Sequence, residues 1–161
     1  MKPVESSSPS SSLMLREPGR VAIVSAQWHA EVIAALLQGA KESLAKHTEG
    51  WTCDEFTVPG SFEIPQAVSA LAKSKKYDAI VPLGCLIRGE TAHFDLIAGT
   101  VFRALDHIGR KTRVAISNGV LTVETREQAL ARAGGSVGNK GEEAMVAALS
   151  LHRLLKDIHH D

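Results

Sequence analysis

Four short strand-like stretches alternate with stretches of helical period, and that alternation leaves the chain few ways to fold. Residues 21–24 form a short apolar run of the kind buried on both faces, the stretch from Ile80 is a second apolar strand-like run, and 51–58 and 114–117 read as two further strands. Between them apolar residues recur at helical spacing. Ile33, Leu36, Leu37, Ala40 and Leu44 mark the first stripe, and Ile64, Ala67, Val68 and Leu71 the second. Phe94, Ile97, Ala98, Val101, Leu105 and Ile108 mark the third, and Met145, Ala148, Leu149, His152 and Leu155 the last. Strands joined through helices run parallel, with right-handed crossovers. The pattern predicts an α/β chain: a flavodoxin-like three-layer α/β/α sandwich around a four-stranded parallel sheet.

Local signals set the expected boundaries. Pro65 falls in the first turn of the second helix, where a missing N–H costs little. Pro82 cannot donate to a ladder, so it predicts an edge position or a bulge. Gly109 is expected to end the third helix, and Asn118 with Gly119 the fourth strand. Thr125 should cap a helix over 126–133 that breaks at Gly134 and Gly135, and Asn139 should cap the last helix.

A hydrophobic content of 44% with 22% charged residues in 161 supports one globular domain, expected over 13–161. Residues 1–12, with six serines and two prolines, bury too little to offset ordering and are expected to form a flexible tail. Lysine plus arginine and aspartate plus glutamate stand at 18 each, so neither nucleic acid nor a membrane surface is an expected partner. There is no apolar signal region and no run of about 18 apolar residues, and Cys53 and Cys85 form no C-x-x-C motif. A cytoplasmic protein with reduced thiols is the expectation.

The candidate chemistry follows the strand ends. After Ile80 the chain reads through Cys85, Leu86 and Ile87 to a turn at Arg88 and Gly89, then Glu90, Thr91, Ala92 and His93. Free N–H groups of such a turn, opening a helix, suit an anion, and His93 beside it can exchange protons near neutral pH. By itself Gly-Glu-Thr reads equally as an ordinary helix cap. Trp28, then Ser61, Phe62 and Glu63, then residues 85–93, then Asn118 each follow a strand, and parallel topology gathers such positions on one rim. Two aromatics could sandwich a flat ring, and Glu63 could accept from hydroxyls. No G-x-G-x-x-G, no G-x-x-x-x-G-K-[ST], no nucleophile elbow and no metal-ligand spacing among His29, His93 and His107 is present. Proton-transfer chemistry on small organic molecules remains.

Four motifs in order extend this reading. They are residues 58–65 (V-P-G-S-F-E-I-P), 83–95 (L-G-C-L-I-R-G-E-T-A-H-F-D), 118–122 (N-G-V-L-T), and E-Q-A with R-A-G and N-K-G between 127 and 141. On these residues the chain, over roughly 20–158, resembles the 6,7-dimethyl-8-ribityllumazine synthase family of riboflavin biosynthesis. The resemblance implies a cofactor-free transferase that condenses 5-amino-6-(D-ribitylamino)uracil with 3,4-dihydroxy-2-butanone 4-phosphate. It implies His93 as the proton donor. Trp28, Ser61, Phe62, Glu63, Cys85, Leu86, Ile87 and Asn118 would hold the ribitylaminouracil, and Glu90, Thr91 and Arg132 the phosphate, with Arg88 and Lys140 as accessory groups. Asn118 stands where many members carry phenylalanine.

The resemblance further implies a homo-oligomer in which Asn118 and Arg132 come from the neighbouring subunit. The expected form is a pentamer, and the short segment 133–139 points to an icosahedral 60-mer, with riboflavin synthase as a further partner. Two alternatives stay open: a catalytically silent shell binding a flavin-like or pteridine-like ring, and a phosphate-ligand module unrelated to riboflavin.

Overall fold

Val21, Ala22, Ile23 and Val24 are wholly buried because their strand has a neighbour on either side and helices above and below. The computed structural model describes residues 13–160, and the stretch 1–12 expected to be a tail lies outside the described residues. The elements run β1 (Arg20–Ala26), α1 (Ala30–His47), β2 (Thr52–Val58), a 3-10 turn (Ser61–Glu63), α2 (Ile64–Lys73), β3 (Ala79–Ile87) and α3 (His93–Thr112). After them come β4 (Ala115–Ile116), β5 (Gly119–Val123), α4 (Arg126–Ala131), β6 (Ala133–Gly135), β7 (Gly138–Asn139) and α5 (Lys140–His160). No helix among the described residues is long and apolar enough to cross a membrane.

The main sheet is parallel in the order β2-β1-β3-β4, with β5 also on β3. One apolar layer packs Val21, Ile23, Val81 and Leu83 against Leu36, Ala40, Met145 and Leu149 of α1 and α5. The other packs Ala22, Val24 and Ile80 against Val68 of α2 and Val101 and Leu105 of α3. Adjacent strand residues thus feed opposite layers, as the pleat requires, and the α/β/α sandwich read from the sequence is the observed architecture.

The fourth lane of the sheet departs from expectation. Asn118 and Gly119 do not end it, because the chain resumes at once as β5. One register runs through both pieces: Ala79 faces Ala115, Ile80 faces Ile116 and, after the break, Leu83 faces Gly119. Pro82 explains the gap. It sits in the central strand with no bulge against β1, pairing in register with Val24. The Ile80 carbonyl accepts from Ser117 N at 3.3 Å, so Ile80 and, two residues on, Pro82 turn their backbone toward the fourth lane. The N–H that proline lacks would have pointed there, opposite the two residues where pairing stops. Asn118 patches the break, its Oδ1 accepting from Val120 N at 3.0 Å.

Other boundaries are sharper than the sequence suggested. α3 runs past Gly109 to Thr112 and ends on Arg113, which takes a left-handed backbone (φ 61°) while its N–H bonds the Gly109 carbonyl. Gly134 and Gly135 do more than break α4, since they form one arm of the β6/β7 hairpin. Thr125 caps α4 through Gln128 N as expected. Asn139 caps α5 through Gly141 N and Glu142 N while donating to the Ala35 carbonyl of α1 at 3.0 Å. That side chain ties α5 to α1, and the helices touch so closely that a Cβ on Gly141 would land on the backbone carbonyl of Leu36.

Replacing Gly141 by alanine should therefore cost about 2 kcal/mol net, the backbone clash outweighing alanine's helix propensity. Gly89→Ala, where a Cβ would meet nothing within 4 Å, should change stability by less than about 0.5 kcal/mol. Denaturant midpoints of the two variants measure the contrast.

Candidate active site

The C-terminal ends of β1, β2 and β3 surround a cleft of about 680 Å³. At the first, Gln27 N holds the carbonyls of Val58 and Pro59, after which Trp28 projects with 71% of its surface exposed. His29 follows in a left-handed backbone (φ 62°) that opens α1. At the second, Gly60 leads into the 3-10 turn, and Glu63 folds back so that its Oε2 accepts from Gly60 N at 3.1 Å. Phe62 stands 62% exposed while Ser61 is buried against β3. A Cβ on Gly84 would lie 2.7 Å from Ser61 Oγ, so this glycine is what lets the turn seat on the strand.

At the third end, Cys85, Leu86 and Ile87 close β3 and the chain turns through residues 88–92 into α3, whose first residue is His93. His93 N donates to no carbonyl among the described residues and instead donates to Thr91 Oγ1 at 3.3 Å. Among the described residues, the N–H groups of Gly89, Glu90 and Thr91 donate to nothing. Gly89 is not needed for close bending, since its φ is not positive and the space around it is open. Free N–H groups of this kind are what an anion requires.

Arg88 does not face the cleft. Its Nη1 and Nη2 donate to the Asp95 carboxylate at 3.0 and 3.1 Å, its Nε pairs with Glu124, and the guanidinium lies 4.4 Å over the Phe94 ring. Hydrogen bonding to Arg88 holds the Asp95 carboxyl below the usual carboxylate range, and Arg88 is in turn raised by Asp95 first and Glu124 second. The turn thus carries Arg88 and Glu90, and Asp95 of α3 and Glu124 after β5 are paired to Arg88, so three carboxylates stand around one guanidinium.

The cleft therefore gathers Trp28, Ser61, Phe62, Glu63, Cys85, Leu86, Ile87, Thr91 and His93. Glu90 lies on the turn without lining the cleft. Asn118, Arg132 and Lys140 line a separate depression of about 300 Å³ with Phe102 and Val137. The fourth lane carries Asn118 away from the shared rim because that lane continues past it to Val123. Arg132 is half-buried and gives Nη1 to the Gln128 carbonyl at 3.2 Å, with no carboxylate at ion-pair distance among the described residues. Lys140 reaches Glu143 at 3.8 Å. Four cleft residues have no site role in the sequence reading: His29, whose signal is its place between an aromatic and a helix start, Gly60 before the 3-10 turn, and Phe94 and Ile97, which follow His93 on its helix.

No group of three or more His, Cys, Asp or Glu side chains among the described residues could hold a metal. Burial pushes the Cys85 thiol up to about 11, and Cys53, half-buried beside Glu55, likewise to about 11, so neither is a thiolate nucleophile at neutral pH.

The family model described as 6,7-dimethyl-8-ribityllumazine synthase matches residues 18–156. The chain belongs to the 6,7-dimethyl-8-ribityllumazine synthase family. The match takes in both the cleft and the second depression, and it makes this a transferase-type enzyme family of riboflavin biosynthesis.

At pH 7 both thiols of the folded chain should react with iodoacetamide about 100-fold more slowly than a free cysteine, and at ordinary rates after unfolding. Mass spectrometry of timed, quenched labelling reads both rates.

Proposed function

We propose that the chain condenses 5-amino-6-(D-ribitylamino)uracil with 3,4-dihydroxy-2-butanone 4-phosphate to 6,7-dimethyl-8-ribityllumazine, releasing inorganic phosphate and two waters. The observation that carries this reading is the family match over a cleft in which His93 opens a helix beside a turn with three unpaired N–H groups. Trp28 and Phe62 offer two apolar faces for the pyrimidine, and Glu63 and Ser61 offer acceptors for its amine and ribityl hydroxyls. The turn at 89–91 is the seat for the phosphate.

In this reading the 5-amino group attacks the ketone, and loss of water from the carbinolamine gives an imine. Elimination of phosphate uncovers a second carbonyl, which the ribitylamino nitrogen attacks, and loss of the second water closes the ring. His93 stands where it can give a proton to the departing phosphate and move protons in the dehydrations. No cofactor is required.

The charge balance supports a site completed by a second copy. Within one chain the phosphate would meet a turn with more anions than cations, whereas the second depression holds Arg132 without a carboxylate partner, next to Lys140. We propose that Arg132, Lys140 and Asn118 of a neighbour face the cleft, in a pentamer that assembles into a 60-subunit shell and associates with riboflavin synthase. The exposed Trp28, Phe62, Phe102 and Val137 are the apolar surface such contacts cover. The exposed aromatic pair also suits a silent container that binds a flavin-like or pteridine-like ring.

Mixing the two substrates and following lumazine absorbance tests the reading: acceleration over the uncatalysed blank is expected, and ring binding without acceleration would favour the container. His93→Ala should slow turnover about 100- to 10,000-fold with little change in binding. Arg132→Ala should raise KM for the phosphate substrate about 10- to 100-fold and leave the pyrimidine's nearly unchanged. Reassembling these two variants together should restore activity, because some sites then combine an intact His93 with an intact Arg132. No recovery would place both residues in one chain's site.

A further inference from the structure

Residues 88–92 link the strand that floors the cleft to the helix that bears His93, yet they are poorly held. Between Arg88 and Ala92 no backbone N–H bonds a carbonyl among the described residues, apart from Arg88 N to the Val123 carbonyl at 2.9 Å. The Thr91 hydroxyl is the acceptor for His93 N, a contact within the turn itself. What crosses the turn is the Arg88 guanidinium. Its two terminal nitrogens grip both oxygens of Asp95, in the first turn of α3, and its Nε pairs with Glu124, thirty-six residues away after β5. The ring of Phe94 lies beneath the guanidinium plane. A fork-to-carboxylate pair fixes direction as well as distance, and lysine cannot reproduce it.

We propose that Arg88 is a positioning residue, a clasp that fixes the 88–92 turn and the start of α3 so that His93 and the unpaired N–H groups face the cleft. The inference rests on the function proposed above and deepens it. The rival role, direct capture of the phosphate by Arg88, needs donors that the structure shows already committed to two carboxylates. The rivals also predict opposite signs for one substitution. Removing the Asp95 charge would free Arg88 for an anion, tightening phosphate-substrate binding if Arg88 is a ligand. If Arg88 is a clasp, it would slacken the turn and slow the chemistry.

The test compares Arg88→Met, Arg88→Lys and Asp95→Asn with the unaltered chain. Expected are a fall in kcat of about 10- to 100-fold in all three, the scale of a small misplacement of a catalytic group, with the pyrimidine's KM near its original value. Lysine should fail to rescue, and Arg88→Met combined with Asp95→Asn should lose no more than either alone. A lower KM for the phosphate substrate in Asp95→Asn, or a kcat left unchanged, would overturn the proposal. Amide hydrogen exchange supplies a readout that does not depend on turnover. Exchange across residues 89–96 should quicken in Arg88→Met while the core strands stay protected, and unchanged exchange would overturn the clasp. If the unaltered chain does not accelerate the condensation, the proposed function fails and the exchange comparison alone decides the clasp.

Discussion

The structure depends on the central strand β3. Like β1 it has neighbours on both sides and helical layers on both faces, and its last three residues floor the cleft. A strand in that position needs every backbone donor matched, because water cannot reach a missed one. Pro82 breaks the requirement at one point, and the consequence passes to the neighbour. The fourth lane parts opposite it, Asn118 spends its side-chain carbonyl on Val120 N, and the strand beyond carries the chain to Glu124 and the α4 segment. One missing donor thus helps decide which residues can belong to the cleft and which must serve another surface.

The two surfaces complement each other in charge. Around the cleft turn, carboxylates outnumber the one guanidinium, which is itself occupied. The second depression has the reverse character, with a half-buried arginine lacking an acidic partner among the described residues. Such a cation is available to pair with an incoming anion. An organic phosphate presented by a neighbour's cleft would supply it, which is why the proposed function and the proposed assembly stand together.

Much of this was legible in the sequence because it is local. Buried strands show as unbroken apolar runs, helices as stripes of period near 3.6, and the caps at Thr125 and Asn139 as single residues at fixed offsets from their targets. Trp28, Ser61, Phe62, Glu63 and His93 could be grouped because parallel topology puts all strand ends on one side. What was not legible is what depends on distant partners. Asn118 followed by Gly119 carries the signature of a turn, yet tertiary pairing with Leu83 keeps the chain in the sheet. Arg113 adopts a backbone that glycine would be expected to fill, and Gly109 four residues earlier stays helical. Arg88 stood only as an accessory group, and its distant partner Glu124 could be identified only once β5 was known to run beside β3.

The contact between α1 and α5, where Gly141 meets the Leu36 carbonyl, also bears on how the chain is made. It joins the first helix to the last, so the apolar face of β1 and β3 that α1 only partly covers waits for the final 21-residue element. On the ribosome, β1, β3 and the helices between them can pair while the part of that face beyond the reach of α1 still lies open. That part stays a liability for aggregation until α5 emerges and closes over it.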